Sequence, residues 1–302
     1  AGVPGGGARD TFVGAMVSRP DRDQPLRGAF LAANVEVGSV IDANGKPTKN
    51  RRWYLSGPDD TTSVAISGDA GALFARYTVR KPYINNGIPH PNMQPTPWQG
   101  TQVWLLTKHG LVGLVKIEAT TTQKVGYVGG ELRFGPVLPL TRDKAGVFHC
   151  GEVAMRLLEN NFPTVTFGRA RPGYIQPFTD HSAVTLGTNL GPAGSKFTAR
   201  PGEPWRYAVL VSPEKAVPLT RFQRLKIAGG FGFEAEIGGE TLVVVANPGD
   251  RPLKYTLDRP ASALAGGVTR VPGAGTQLTI RPRAVALIKG TKREGKISIP
   301  QG

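Results

Sequence analysis

Hydrophobic and polar positions alternate with a period of two in short segments along most of the chain. Alternation of this kind is typical of strands that bury one face, and here it recurs at intervals of roughly ten to fifteen residues. Glycine and proline, which interrupt helices and favour turns, are spread between the segments. We therefore predict an all-β protein, with strands in its first part at 29–37, 52–55, 62–66, 73–79, 102–107, 111–120, 125–134, 147–150, 152–158, 164–167, 182–186 and 205–211.

A second domain is predicted to begin near residue 226. Its first two strands are joined by Gly238-Gly239, a pair typical of two-residue hairpin turns, and a turn is predicted at Asn247-Pro-Gly-Asp250. The fold class is therefore a large antiparallel β-sandwich in residues 1–225 followed by a smaller β-sandwich domain in residues 226–302. The strands predicted for the smaller domain are 233–237, 241–245, 253–257, 267–271, 277–280 and 284–288.

Two segments of the larger domain allow more than one interpretation. Residues 152–159 could form a helix of two turns, but Gly151 before them and Pro163 after them favour a strand. Residues 80–100 are rich in proline and asparagine and also hold Tyr83, His90 and Trp98, which predicts a long loop. Long loops inside compact domains are often functional.

Composition narrows the classes of partner. The chain of 302 residues has 37 Lys and Arg against 22 Asp and Glu, a formal charge of +15, which favours polyanions such as acidic glycans or nucleic acid. A charge that only aids solubility is the alternative.

No apolar run approaches the length of about 20 residues that a spanning helix needs, so no membrane span is expected. Cys150 is the single cysteine, and the chain opens at Ala1 without a signal-like segment, as expected of a processed or excised sequence.

Several kinds of chemistry lack their signatures. No phosphate-binding glycine loop opens a predicted helix, and no Gly-x-Ser-x-Gly elbow is present. The four histidines are far apart, so no metal site and no cofactor are predicted. The remaining candidate is β-elimination on a uronic acid, which needs a cation to neutralise the substrate carboxylate and a base, often Tyr or His.

The proline-rich segment holds residues of the types that β-elimination needs. Tyr83 and His90 are the candidate catalytic residues. The alternative is that Tyr83 packs in the core, that His90 is a surface residue and that the basic side chains are solvated. The candidate substrate-binding residues, with Trp98 offering a flat face to a sugar ring, are Arg76, Arg80, Lys81, Asn85, Asn86 and Trp98.

The segments 72–79 (ALFARYTV) and 101–119 (TQVWLLTKHGLVGLVKIEA) resemble the β-sandwich of heparinase-like and related toroid-type polysaccharide lyases. Residues 240–250 and 281–288 look like the small β domain that often closes carbohydrate-active enzymes. The resemblance covers about half of the chain. It implies that a helical catalytic domain or subunit is missing here, because such lyases carry most of their catalytic residues on an α/α-toroid.

Two hypotheses of different classes follow. The first is a secreted or periplasmic carbohydrate-active protein that binds or cleaves an acidic, uronic-acid polysaccharide, as the sandwich part of a polysaccharide lyase or as a binding relative. The second is a non-enzymatic structural or assembly protein whose basic surface meets nucleic acid or other subunits. Nucleic acid is the less favoured partner because the basic residues are scattered along the chain.

Overall fold

The computed structural model of this chain contains only strands, turns and irregular segments among the residues that it describes. These are residues 14–16, 30–40, 53–54, 65–67, 71–85, 88–107, 109–134, 139–151, 153–170, 181–187, 197–212, 219–258, 260–271 and 276–290. The strand pairs whose register the structure describes are antiparallel, so the prediction of an all-β antiparallel fold is confirmed. No helix capable of crossing a membrane occurs among these residues.

The strands are short in most places and long in the middle of the chain. In chain order they are β1 (Gly14–Met16), β2 (Phe30–Val40), β3 (Trp53–Tyr54), β4 (Ala65–Ser67), β5 (Ala72–Asn85), β6 (Ile88–Thr107), β7 (Gly110–Ala119), β8 (Gln123–Phe134), β9 (Leu140–Arg142), β10 (Phe148–Cys150), β11 (Val153–Asn160), β12 (Thr164–Ala170), β13 (His181–Gly187), β14 (Phe197–Ala199), β15 (Trp205–Ser212), β16 (Leu219–Arg224), β17 (Phe231–Ile237), β18 (Glu240–Asn247), β19 (Leu253–Thr256), β20 (Ala261–Gly266), β21 (Val268–Arg270), β22 (Gln277–Ile280) and β23 (Ala284–Gly290).

The chain divides into two compact units. The first holds β1 to β3, most of β5, and β6 to β15. The second holds β16 to β23 together with the hairpin formed by β4 and the first residues of β5, in which Ala65 lies opposite Phe74. The second unit is therefore built mostly from the C-terminal part of the chain, with one hairpin contributed from residues 64–74.

The strands of the first unit belong to a 15-stranded sheet whose order along the main path is β12-β13-β8-β2-β3-β5-β6-β7-β15-β11-β10-β9. The remaining strands of this sheet are β1, β14 and β4, of which β4 belongs to the second unit. The two ends of this order come together. Phe167 on β12 meets Phe148 on β10 edge-on, with ring centroids 5.4 Å apart. Strands β7 and β15 are buried along most of their length, and so is the part of β6 from Trp98 to Leu105.

The second unit is a small sandwich. A five-stranded sheet with the order β16-β17-β18-β23-β20 faces a three-stranded sheet with the order β19-β22-β21. Apolar side chains of both sheets form the core between them, including Val243, Val245, Ile280 and Ile288. The prediction of a smaller C-terminal β-sandwich is confirmed.

Two local predictions from the sequence are also confirmed. Strands β17 and β18 form a hairpin closed by Gly238 and Gly239, whose φ angles are 59° and 79°. Both angles lie in the left-handed region, which the two-residue turn requires and which glycine adopts without steric penalty. The segment that could have been a short helix is instead strand β11.

The prediction of a long loop over residues 80–100 is wrong, because β5 and β6 are neighbouring strands that cover nearly all of it. The positions of the prolines explain how a strand forms there. Pro89, Pro91, Pro95 and Pro97 all have odd numbers, so in a regular strand the missing N–H donors fall on one edge of β6 and the alternate N–H groups remain for a neighbour on the other edge. Strand β7 ends opposite Trp98, so this part of β6 extends past its other neighbour.

Candidate functional site

A row of polar side chains crosses five consecutive strands of the large sheet. The strands are neighbours in the order β5-β6-β7-β15-β11, and each contributes at least one member. Four strand spacings correspond to roughly 19 Å. We call this row the polar stripe, and it consists of Arg76 (β5), Gln99 (β6), Lys116 and Glu118 (β7), Arg206 (β15) and Glu159 (β11).

Strand register places the members of the polar stripe on one face of the sheet. Gln99 lies opposite Glu118, and Lys116 lies opposite Arg206. Glu159 lies opposite Ala208, which is two residues from Arg206 and therefore shares its face. The sequence separates these residues widely, but the antiparallel pairing brings them side by side.

Each cation of the polar stripe contacts a polar side chain of another member. Arg76 Nη2 donates a hydrogen bond of 2.8 Å to Gln99 Oε1. Lys116 Nζ lies 2.6 Å from Glu118 Oε1, with both side chains 22% exposed. Arg206 Nε lies 3.6 Å from Glu159 Oε1, with both side chains 26% exposed. The charged groups are therefore partly shielded from water but still reachable from it.

The backbone at Arg206 is held in place by Asn161, which directly follows β11. Arg206 N donates to Asn161 Oδ1 at 2.5 Å, and Asn161 N donates to Arg206 O at 3.1 Å. Asn161 Nδ2 also donates to Pro204 O at 3.0 Å. These three bonds fix the start of β15, so the guanidinium of Arg206 projects from a rigid position.

The opposite face of the same strands is a tightly packed core. Trp98 is 2% exposed and Trp104 is 3% exposed. Trp104 Nε1 donates a hydrogen bond of 3.0 Å to the buried Gln102 Oε1. The Trp104 ring lies over Gly113, its partner on β7, and any Cβ there would overlap the ring. A rigid layer of aromatic side chains therefore supports the polar stripe from behind.

The sequence around the first half of the polar stripe is entirely free of acidic residues. No Asp or Glu occurs between Asp69 and Glu118, whereas this interval contains five lysines and arginines. Strands β5 and β6 lie within it. This stretch of the sequence therefore carries a positive net charge, and the carboxylates of the polar stripe are Glu118 on β7 and Glu159 on β11. The five basic residues are Arg76, Arg80, Lys81, Lys108 and Lys116.

The structure places the predicted site residues that it describes on the neighbouring strands β5 and β6. Arg76 belongs to the polar stripe, whereas Trp98 lies in the core, so stacking on a sugar would require its ring to leave the core. Asn86 lies outside the described residues. The backbone of the others lies in β5 and β6, and their roles stay predictions: Arg80, Lys81, Tyr83, Asn85 and His90.

A second polar group lies at the turn between β9 and β10. Asp143 Oδ1 accepts a hydrogen bond of 2.9 Å from Val147 N, and Oδ2 lies 3.1 Å from His149 Nε2. The His149 and Val147 hydrogen bonds lower the pKa of Asp143 below its ordinary value. These contacts account for the closure of the turn.

Cys150 lies at the end of β10. Burial raises the pKa of its thiol, which disfavours the nucleophilic thiolate.

No cluster of three or more His, Cys, Asp or Glu side chains suited to a metal ion occurs in the part of the chain that the structure describes. Five members of the polar stripe were not identified from the sequence: Gln99, Lys116, Glu118, Glu159 and Arg206. A signal for two of them was present, because Lys116 and Glu118 interrupt the otherwise apolar strand β7 at alternate positions. Charges placed this way share one face of a strand.

Comparison with other proteins leaves the family open. No protein-family model matches the sequence, and no curated protein matches it significantly.

Proposed function

We propose that this chain binds an acidic, uronic-acid polysaccharide along the polar stripe. The observation that carries the proposal is the line of three cations, Arg76, Lys116 and Arg206, on one face of adjacent strands. A flat, linear array of cations suits an extended chain that carries carboxylates at intervals. Guanidinium groups also match a carboxylate with two parallel hydrogen bonds.

The polar groups between the cations suit a sugar. A sugar ring presents several hydroxyl groups, each of which donates one hydrogen bond and accepts others. Glu118 and Glu159 offer acceptors to such hydroxyls, and Gln99 offers both a donor and an acceptor. The same carboxylates repel the anionic groups of either polymer, but a polyuronate offsets this with hydroxyl donors that the phosphodiester backbone of DNA lacks. Glu118 and Glu159 therefore favour the glycan over DNA.

Binding is tested with polygalacturonate, with neutral dextran as the polymer control. The variants Arg76→Gln and Arg206→Gln should each weaken polygalacturonate binding about tenfold, as expected for loss of one charge-assisted hydrogen bond. Arg221→Gln is a matched control, because Arg221 is 27% exposed and lies 3.2 Å from Glu234 in the second unit. Equal losses in Arg206→Gln and Arg221→Gln would overturn the polar stripe as the binding surface.

Cleavage by β-elimination is the catalytic form of the proposal, and the resemblance to toroid-type lyases supports it. Strand β5 ends at Asn85 and β6 begins at Ile88. Tyr83 lies two residues before the end of β5, and His90 lies two residues after the start of β6. We therefore expect the two residues to lie opposite each other. Tyr83 is seven residues along β5 from Arg76, or roughly 23 Å in a strand. Seven is an odd separation, so in a regular strand the two side chains would lie on opposite faces. The polar stripe would therefore hold a different stretch of the polymer from the one being cleaved.

Elimination leaves an unsaturated uronic acid, which is followed by its ultraviolet absorbance. We expect product from a uronic-acid polymer with the unaltered chain, and loss of product in Tyr83→Phe and in His90→Gln with polymer binding retained. If no polymer gives product while polygalacturonate still binds, the chain is a binding protein and the proposed catalytic roles of Tyr83 and His90 are wrong.

Nucleic acid is the competing partner in the same assay. Duplex DNA would bind without sequence preference, and its affinity would fall steeply with salt. Salt-sensitive DNA binding together with no polygalacturonate binding would favour the structural or assembly function over the glycan function.

A further inference from the structure

We propose that Glu118 and Glu159 determine specificity, so that the polar stripe selects carboxylated polymers and discriminates against sulfated ones. This inference rests on the proposed polysaccharide binding. Its basis is that two carboxylates lie among the three cations of the polar stripe, which leaves a net charge of +1 across the row.

Each carboxylate directly contacts a cation that a ligand would also use. Glu118 Oε1 is 2.6 Å from Lys116 Nζ, and Glu159 Oε1 is 3.6 Å from Arg206 Nε. A ligand anion that approaches either cation therefore also approaches a fixed negative charge. This repulsion is stronger than in bulk water, because these side chains are about three-quarters buried.

The repulsion acts differently on the two classes of polymer. A polyuronate carries one carboxylate per sugar, and its remaining hydroxyl groups can donate hydrogen bonds to Glu118 and Glu159. A densely sulfated polymer has sulfate esters in place of many of those hydroxyls, so it presents more negative charge and fewer donors. The carboxylates thus favour the first polymer and oppose the second.

The Arg76 end of the polar stripe behaves differently. There the member of the polar stripe that contacts the cation is the neutral amide of Gln99. This contact within the polar stripe therefore does not distinguish a carboxylate from a sulfate. Discrimination depends on the part of the sheet formed by β7, β15 and β11, where the two carboxylates lie.

The test compares polygalacturonate, which is carboxylated only, with dextran sulfate, which is sulfated only. For the unaltered chain we expect tighter binding of polygalacturonate. Glu118→Gln and, independently, Glu159→Gln should each strengthen dextran sulfate binding about tenfold. Polygalacturonate binding should not strengthen in either variant, because the loss of a charged acceptor for its hydroxyl groups offsets the relief of repulsion. The control Glu234→Gln removes the carboxylate of an equivalent ion pair in the second unit, and it should leave both affinities unchanged.

The outcomes distinguish failure of the specificity inference from failure of the proposed function. If the unaltered chain binds polygalacturonate but the two polar-stripe variants respond as Glu234→Gln does, the specificity inference fails and the proposed function stands. If the unaltered chain binds neither polymer, the proposed function itself fails. Gln has nearly the same shape as Glu, and thermal unfolding of each variant verifies that it is folded.

Discussion

The polar stripe of the first unit and the Asn247 side chain of the second unit both place polar atoms within a largely apolar sheet, but the atoms are satisfied differently. Asn247 is 2% exposed, and its Nδ2 lies 2.8 to 3.1 Å from the carbonyl oxygens of Arg251, Ile280 and Arg281. Its Oδ1 accepts a hydrogen bond of 3.0 Å from Gly249 N. In the polar stripe, each cation instead contacts a side chain of another member.

The difference separates a structural role from a binding role. Backbone carbonyls that surround Asn247 cannot turn to another partner without breaking the fold, so this amide holds the turn after β18 against the end of β22. The side chains of the polar stripe can rotate and exchange a neighbour for a ligand. Buried polar atoms bonded to backbone therefore indicate stability, whereas half-buried charges bonded to one another indicate a surface that can bind.

Replacement of Asn247 should produce the largest effect on stability. Asn247→Ala leaves three carbonyl oxygens and one N–H without this partner, and we expect the free energy of unfolding to fall by about 3 kcal/mol. Asn247→Asp keeps the acceptor for Gly249 but loses both donors, so it should be destabilised at least as much. Denaturant titration followed by circular dichroism measures both. An Asp variant as stable as the unaltered chain would contradict the role given to Nδ2.

The layer behind the polar stripe should be the next most sensitive. Gly113→Ala forces a methyl group into the space of the Trp104 ring, and we expect a loss of about 2 kcal/mol. In a double-mutant cycle with Trp104→Leu, the combined loss should be smaller than the sum, because the shorter side chain makes room. Additive losses would show that the Trp104 contact does not limit this position. Polygalacturonate binding by the folded variant should change little.

Much of the fold follows from local signals in the sequence. The Gly238-Gly239 pair specified its hairpin, because few residues other than glycine adopt two successive positive φ angles. The segment from Pro89 to Pro97 forms part of a strand, although its proline content is typical of a loop. The positions of the prolines within the strand account for the difference. In an antiparallel sheet, prolines at alternate residues remove donors on one side only, and a strand tolerates this where that side extends past its neighbour.

The polar stripe could not be predicted in the same way. Arg76, Lys116, Glu159 and Arg206 become neighbours only through the order and register of five strands, and a one-residue shift of any strand would move its charge to the opposite face. What the sequence does contain is the alternate placement of Lys116 and Glu118 in an apolar strand. That pattern marks a face but does not identify the partners on it.

Removal of a polar-stripe charge should affect stability much less than removal of Asn247. Arg206→Gln should lower the free energy of unfolding by less than about 1 kcal/mol, because the 3.6 Å between Arg206 Nε and Glu159 Oε1 is too long for a charge-assisted hydrogen bond. The same variant should weaken polygalacturonate binding about tenfold. Unfolding and binding measured on one preparation give both values, and a large loss of stability would move Arg206 into the same structural class as Asn247.

Asp143 should give the smallest effect, since its contacts to Val147 and His149 lie in an exposed turn. The His149 contact and the Val147 N–H hold the pKa of Asp143 in the folded chain below the ordinary 3.8. Above that value both folded and unfolded chains carry the charged carboxylate, and its stabilisation is complete. As the pH falls below 3.8, the unfolded chain binds a proton first, so the stabilisation is lost as the pH passes through the lower folded pKa. The difference in unfolding free energy between the unaltered chain and Asp143→Asn should therefore shrink as the pH falls below 3.8. A difference that grows on acidification would mean that the protonated carboxyl is the better partner in this turn, and the pair would then differ in kind from the charged pairs of the polar stripe.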